Sequence, residues 1–494
     1  MILALVCGAQ FVVVLDIAVV NVALPGIRDD LDVAPGDLQW VVTTYGLLLG
    51  GLLLLGGRAA DLLGRRKVLV AGLGLFTAAS LAAGLADSLG LLVAARAVQG
   101  AGGALTVPAA LSILASTFTE GAERNKALGI FGAVGGSAAS VGVIVSGALT
   151  SGPGWPWIFL VNVPIGVLLV AAILRFVPAS PPDAGAGRRR FDVLGAASVT
   201  AGLMAVVYGI HQSVDHGWTS AATLGFLAAG AALLALFAVV EGRTRQPLLP
   251  LAMFRRPTLN AANLVAALAF GSFFATIFQA SLFMQEVLRY SAIRTGVAYL
   301  AIAGTAFVVA GAVAARVVDR RGAATALVIG QLGVAAGLLL LTRVPVDAGY
   351  WADVFPGFLL IGIGMGFTGM AAQVAAFIGV PNSVAGLAGG MVETAREIGG
   401  SLGVALVGTV ALARANDVAA GAVGAGGVDP AVALTEGFQQ GALLAAGFSL
   451  AAAVVAALVL RPAERRAAVG VAEPTEERPA AIDIPADPVP GEAA

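Results

Sequence analysis

Five charged residues sit inside apolar stretches where water is scarce. In "FVVVLDIAVVNVALP", Phe11 to Pro25, Asp16 lies at the centre. In "RAVQGAGGAL", Arg96 stands some way into another apolar run, ~10 Å from its near end at the rise of a helix. "MVETAREIGGSLG" carries Glu393, Arg396 and Glu397 at i, i+3 and i+4, hence on one helical face. A charge at mid-bilayer costs ~2.5–3.5 kcal/mol on insertion scales, so such residues face a cavity, an aqueous path or a partner. The chemistry this permits is proton transfer. Apolar surroundings favour a neutral carboxyl and a nearby cation favours the carboxylate. A carboxyl poised between the two can load and release a proton as its exposure changes. Asp16, Arg96, Glu393 and Glu397 are therefore the proton-coupling candidates, with Arg396 as a charge partner able to neutralise one of the two acids. Structural alternatives stay open: a polar contact of Asp16 with Asn21 or backbone, a fixed ion pair or snorkelling side chain at Arg96, and a purely structural trio.

The elements that must position these residues are membrane helices. The chain of 494 residues is 59% hydrophobic and only 12% charged, with mean hydropathy +0.93; soluble domains carry about 25% charged residues. Runs long enough to span ~30 Å of hydrocarbon number fourteen, from about 3–24 and 38–57 to 385–412 and 438–460. The short alternating segments of a β-barrel are not found. An acid in its core and no basic start mark the first run as a retained helix rather than a signal peptide. A formal net charge of -1 gives no bias toward nucleic acid, and Cys7, the single cysteine, cannot form an internal disulfide. The stretch Gly364-x-Gly366-x-x-Gly369 spells a dinucleotide fingerprint, but inside an apolar helix it lacks the strand that motif requires. His211 and His216 read as solvated loop residues; no metal pattern, phosphate loop or nucleophile elbow points to an enzyme, and no cofactor is expected.

Basic residues set the orientation. With the N-terminus in the cytoplasm, the inner connections hold Arg58, Arg65, Arg66, Lys67, Arg124, Lys126, Arg188, Arg189, Arg190, Arg243, Arg245, Arg255, Arg256, Arg316, Arg320 and Arg321; the outer ones hold only Arg28, Arg289, Arg294, Arg343 and Arg414. Both termini are then expected inside a cell membrane. Trp40, Trp155 and Trp157 fall where aromatic belts form, and the deeper Tyr45, with Asn21 and Gln99, is a cavity candidate.

A repeat links the halves. Arg58, Asp61 and Gly64 read Arg-x-x-Asp-x-x-Gly, as do Arg316, Asp319 and Gly322. Each follows the second helix of a six-helix group once helices 7 and 8 are set aside, which is the pattern of a two-bundle transporter. The expected organisation is an all-α polytopic protein: residues 1–178 as one six-helix bundle, 179–258 as two inserted helices with flanking loops, 259–460 as a second bundle, and 461–494, rich in Pro, Glu and Ala, as a disordered cytoplasmic tail. The inserted helices, uncharged within, are expected at the lipid-facing periphery.

"LDIAVVNVALP", "GRAADLLGRRKVL", "RAVQGAGGAL" and "WIFLVNVPIG" together resemble the major facilitator superfamily, specifically its fourteen-helix drug:proton antiporter branch. The resemblance covers the chain except its tail. It implies two bundles around a central cavity, alternating access, and proton-driven export of amphipathic or cationic drugs, antibiotics or dyes. It implies an influence of Arg96 on proton transfer and a conformational gate at Gly57, Asp61 and Arg65, with Arg316 and Asp319 as second-half counterparts. Gly142 and Gly147 keep part of the branch's helix 5 packing motif; Val143 and Ser146 depart from it and remove a proline kink. The expected partners are a small-molecule substrate, protons and the lipid bilayer, with the protein a monomer. A proton-coupled importer on the same fold, or a non-transporting scaffold or sensor, are the rival readings.

Overall fold

The computed structural model describes residues 1–34, 36–118, 122–179, 192–244, 247–249, 251–378, 385–421 and 429–468. Arg188 to Arg190, Arg245 and the tail beyond 468 lie outside the described residues. The helices, in chain order, are α1 (Ile2–Leu31), α2 (Gln39–Leu63), α3 (Arg65–Gly84), α4 (Leu89–Thr117), α5 (Ala122–Ser151), α6 (Trp157–Phe176), α7 (Val193–His216) and α8 (Ala221–Arg243). They continue with α9 (Pro257–Val287), α10 (Ala292–Arg321), α11 (Ala323–Leu341), α12 (Tyr350–Ala375), α13 (Ala385–Gly421) and α14 (Pro430–Arg466). No strand occurs among the described residues. Thirteen of these helices are long and apolar enough to cross a membrane. The thirty-residue α5 is compatible with a fourteenth crossing.

Several helices outrun the apolar runs that announce them. Hydropathy sees only the part bathed in hydrocarbon, whereas the backbone stays helical wherever its amides remain paired. α1 continues through Pro25 to Leu31, so Arg28 lies on its last turn rather than in a loop. α14 runs past Arg461, where the composition changes. Its end is held by Glu464, whose carboxylate accepts from Ala323 N at 2.6 Å and Ala324 N at 3.1 Å. A carboxylate suits the positive N-terminus of α11.

The packing repeats with the chain. In the first bundle α4 packs on α2 and α3, and α1 on α5; in the second, α12 packs on α10 and α11, and α9 on α13. Each helix thus has a counterpart eight positions later, α7 and α8 being the insertion. The two short sequence repeats fall at equivalent corners. Gly64 has φ 95° and Gly322 φ 85°, conformations that favour glycine. Each ends one helix and caps the next, joining α2 to α3 and α10 to α11 through a single residue. Elsewhere glycine permits close approach, as small residues do in membranes. A Cβ on Gly364 would lie 2.7 Å from Val334 N of α11, which is the role of the fingerprint-like stretch in α12.

The bundles meet along two seams, α2 against α13 and α5 against α10, with α1 touching α9 between them. α8 faces outward, as expected of the insertion. α7 does not: it packs on both α2 and α13.

Candidate functional site

Asp16 and Arg96, 80 residues apart, form an ion pair through Asp16 Oδ2 and Arg96 Nη1. Both are buried, with 0% and 1% side-chain exposure. Neither is left with a lone contact. Gln99 Nε2 donates to Asp16 Oδ1 at 3.1 Å and to Ser80 Oγ at 2.8 Å. Asn162 Nδ2 donates to Asp16 Oδ1 at 3.0 Å. Arg96 Nη1 also donates to Gln99 Oε1 at 3.0 Å, and Nε to the Val41 carbonyl at 2.9 Å. The guanidinium lies over the Tyr45 ring, 4.1 Å from its centroid. The network joins α1, α2, α3, α4 and α6. A desolvated carboxylate requires this degree of pairing and hydrogen bonding to remain charged.

The sequence reading located Asp16, Arg96 and Gln99 without establishing their contact. It missed Ser80 and Asn162; the signal available was a lone amide in "WIFLVNVPIG". Asn21 is not a partner of Asp16. Its Nδ2 donates back to Ile17 O at 3.2 Å, and its backbone carbonyl accepts from Ser281 Oγ of α9. Tyr45 is 2% exposed, so it floors the ion pair rather than lining an open cavity.

The second cluster lies on α13. Arg396 Nη2 bonds both Glu393 Oε1 and Glu397 Oε1, the latter at 3.0 Å. One guanidinium bridges two carboxyl groups, where the sequence suggested that it would serve one; the trio still has one more acid than base. Gln373 of α12 donates to Glu393 Oε2 at 3.3 Å, and Phe270 of α9 lies 5.1 Å beneath Arg396. Glu397 is buried against α2, where a Cβ on Gly50 would lie 3.1 Å from Glu397 Cβ.

The gate candidates are dispersed. Asp61 and Arg65 flank Gly64 at the α2–α3 corner. A Cβ on Gly57 would meet Pro108 Cβ at an ordinary 3.6 Å, whereas one on its neighbour Gly56 would strike the α4 backbone at Ala104. Gly56 is the demanding glycine. Arg316 and Asp319 are exposed at the end of α10, and the cap on α11 comes from Glu464 instead. Gly142 lies against α1, where a Cβ would be 2.8 Å from Ala18 Cβ. Gly147 lies against α10, 2.7 Å by the same measure from Ile293 Cα. Ser146 donates to the Val19 carbonyl, so this departure from the motif supplies a bond to α1; the Val143 side chain lies outside the described residues.

His211 is not solvated. Its Nε2 is 3.2 Å from Asp37 Oδ1 and its Nδ1 2.7 Å from Gln39 Nε2, with Trp40 against the ring edge. Trp155 is likewise committed, donating to Asp30 Oδ2 at 2.9 Å. Trp157 is exposed, as an interfacial anchor would be.

The two faces differ. On the face opposite Met1, Arg28 pairs with Glu286 at 2.9 Å, Gln285 Nε2 donates to Val22 O at 2.9 Å, and Ile293 N donates to Ser151 Oγ at 3.3 Å. These contacts close the bundles together. Toward the Met1 face, an open groove of about 510 Å³ lies within the amino-terminal bundle, lined by Leu3, Cys7, Gly8 and Phe11 of α1 and Ile130 and Val134 of α5.

Paired helical bundles with buried charges are the frame, and likeness to a transporter family and to export proteins makes the chain a transporter rather than an enzyme. The chain belongs to the Major Facilitator Superfamily, whose family model matches residues 6–404. It is 39% identical to the puromycin resistance protein pur8 of Streptomyces alboniger over 83% of this chain and 81% of that one. It is 39% identical to the cephamycin export protein CmcT of Amycolatopsis lactamdurans, over 83% and 84%. A lincomycin resistance protein of Streptomyces lincolnensis is 35% identical over 93% and 91%. Among solved structures, a bacterial homolog of the human lysosomal transporter Spinster, inward-facing and unoccupied, matches with TM-score 0.63 at 15% identity over 94% and 96%. That likeness concerns the fold.

Proposed function

We propose that this protein exports small amphipathic or cationic compounds, antibiotics among them, in exchange for protons. The observation that carries the reading is the fully buried Asp16–Arg96 pair. A structural ion pair in hydrocarbon gains little over apolar packing; a carboxyl whose charge can be cancelled by one proton offers a switch. Protonating Asp16 would remove the anion that holds Arg96 and loosen the joint among α1, α4 and α6. The excess of arginine at the Met1 face supports an orientation with that face and both termini on the cytoplasmic side of the cell membrane. The present conformation is then closed outward, and the open groove beside α1 and α5 is a first contact for substrate on the inner side. The trio on α13, with one more acid than base, supplies counter-charge for cationic substrates. The names of its relatives, resistance and export proteins for several antibiotics, support the direction and the substrate class.

Coupling requires the proton and the substrate to bind with different affinity in the two states. The test uses proteoliposomes of known protein orientation, with an inside-acidic gradient and a fluorescent lipophilic cation. Wild type should accumulate the dye, and Asp16→Asn should bind it without gradient-driven accumulation. Equal accumulation by both would remove Asp16 from the coupling path and turn attention to Glu393 and Glu397.

A further inference from the structure

We infer that the inserted pair α7–α8 travels with the amino-terminal bundle and slides over α13 during the transport cycle. The inference follows from the kind of contact on each side of α7. Toward α2 the contacts are directional and occur at both ends. On the face opposite Met1, His211 bonds Asp37 and Gln39 at the start of α2. On the Met1 face, Arg58 Nη1 of α2 donates at 3.1 Å to the carbonyl of Pro247. That segment is fastened to α8, since Leu249 N donates to Glu241 Oε2 at 3.1 Å. Midway, a Cβ on Gly51 would lie 3.3 Å from Thr200 Cβ, so the backbones are nearly in contact.

Toward α13 the surface of α7 is apolar. Leu203 and Val207 share one apolar cluster with Ala405, Ile398 and Leu402 of α13 and with Leu47 and Trp40 of α2. Such a face resists separation but not translation, because apolar contact has no preferred register until side chains interlock. Hydrogen bonds, in contrast, weaken steeply with distance and angle. Among the described residues the pair therefore has three polar tethers to the amino-terminal bundle and only apolar packing against α13. Among the described residues, the second seam, α5 against α10, has no such backing helix. The insertion thus makes the two seams mechanically unequal and assigns His211 a positioning role.

Two measurements on the full chain test this. In a Cys7→Ser background, Gly51→Cys with Thr200→Cys puts the two Cβ atoms 3.3 Å apart, just under the ~3.5–4.5 Å of a disulfide, so a small adjustment closes the bond. Oxidation should leave transport within about two-fold of the reduced protein, since nothing at that joint moves. Loss of transport on oxidation, restored by reductant, would overturn the inference. The second readout needs no transport, so it fails separately from the export reading. In His211→Gln, hydrogen exchange should rise at residues 36–43 and 205–214, about five-fold for an ordinary hydrogen bond lost. It should stay unchanged at 402–412. An equal rise at 402–412, or none at 36–43, would place the tethers elsewhere and overturn the inference.

Discussion

Arg96 stacks on Tyr45, its guanidinium carbon 4.1 Å from the ring centroid, while the same group pairs with Asp16. The aromatic face and the carboxylate hold the cation from two directions. Loss of the cation should therefore cost more than loss of the ring's hydroxyl. Arg96→Met leaves Asp16 buried without its counter-ion and should destabilise the protein by ~3–5 kcal/mol. Asp16→Asn combined with Arg96→Met should recover part of that loss. Thermal unfolding in detergent of the two singles and the double checks it, and simple additivity would show that the pair is not coupled.

The two adjacent glycines of α2 should behave oppositely. Gly57→Ala meets only ordinary contact with Pro108 and should fold normally. Gly56→Ala drives a methyl into the α4 backbone at Ala104 and should cost ~1–3 kcal/mol as overpacking does. Membrane yield and melting temperature distinguish them.

Ser146→Ala removes the bond to the Val19 carbonyl and should lower stability by ~1 kcal/mol. Ser146→Gly should cost at least as much, because glycine also loosens a helix interior. A more stable Ser146→Gly would mean that the serine bond contributes nothing to the α1–α5 contact.

Glu464→Gln weakens a charged cap on α11 and should cost ~0.3–1 kcal/mol, less at high salt. The reading is a small fall in melting temperature that shrinks as salt is added. An effect insensitive to salt would point to packing rather than charge.

Much of this architecture was legible before any coordinates. Hydrocarbon imposes a length and an apolar composition on each crossing, so the helices announce themselves, and an acid such as Asp16 stands out against them. The repeat at Gly64 and Gly322 was legible because its backbone conformation demands a particular residue. What stayed hidden depends on rotation and distance. Nothing local to Asp16 reveals a partner 80 positions away. Asn162 and Ser80 are uncharged and common in membrane helices, so neither signals a role. His211 read as solvated because it lies near a helix end, whereas the turn before α2 folds back onto it. The close fit of Gly56, rather than Gly57, follows from helix phase, which a short motif does not specify. Which helices pair is likewise set by side-chain relief, and α7 resembled α8 in composition while occupying a buried seam.

The single-residue corners have a practical reach. Because Gly64 joins α2 to α3 without an intervening loop, a displacement of α2 has no slack in which to be lost. It must appear at once at the first turn of α3, where Lys67 stands. The chain has only two lysines, Lys67 and Lys126. With the amino-terminal α-amine first blocked, an amine-reactive dye on a Lys126→Arg background would therefore mark one corner of one bundle, and its emission would follow the seam movement in real time without any engineered cysteine.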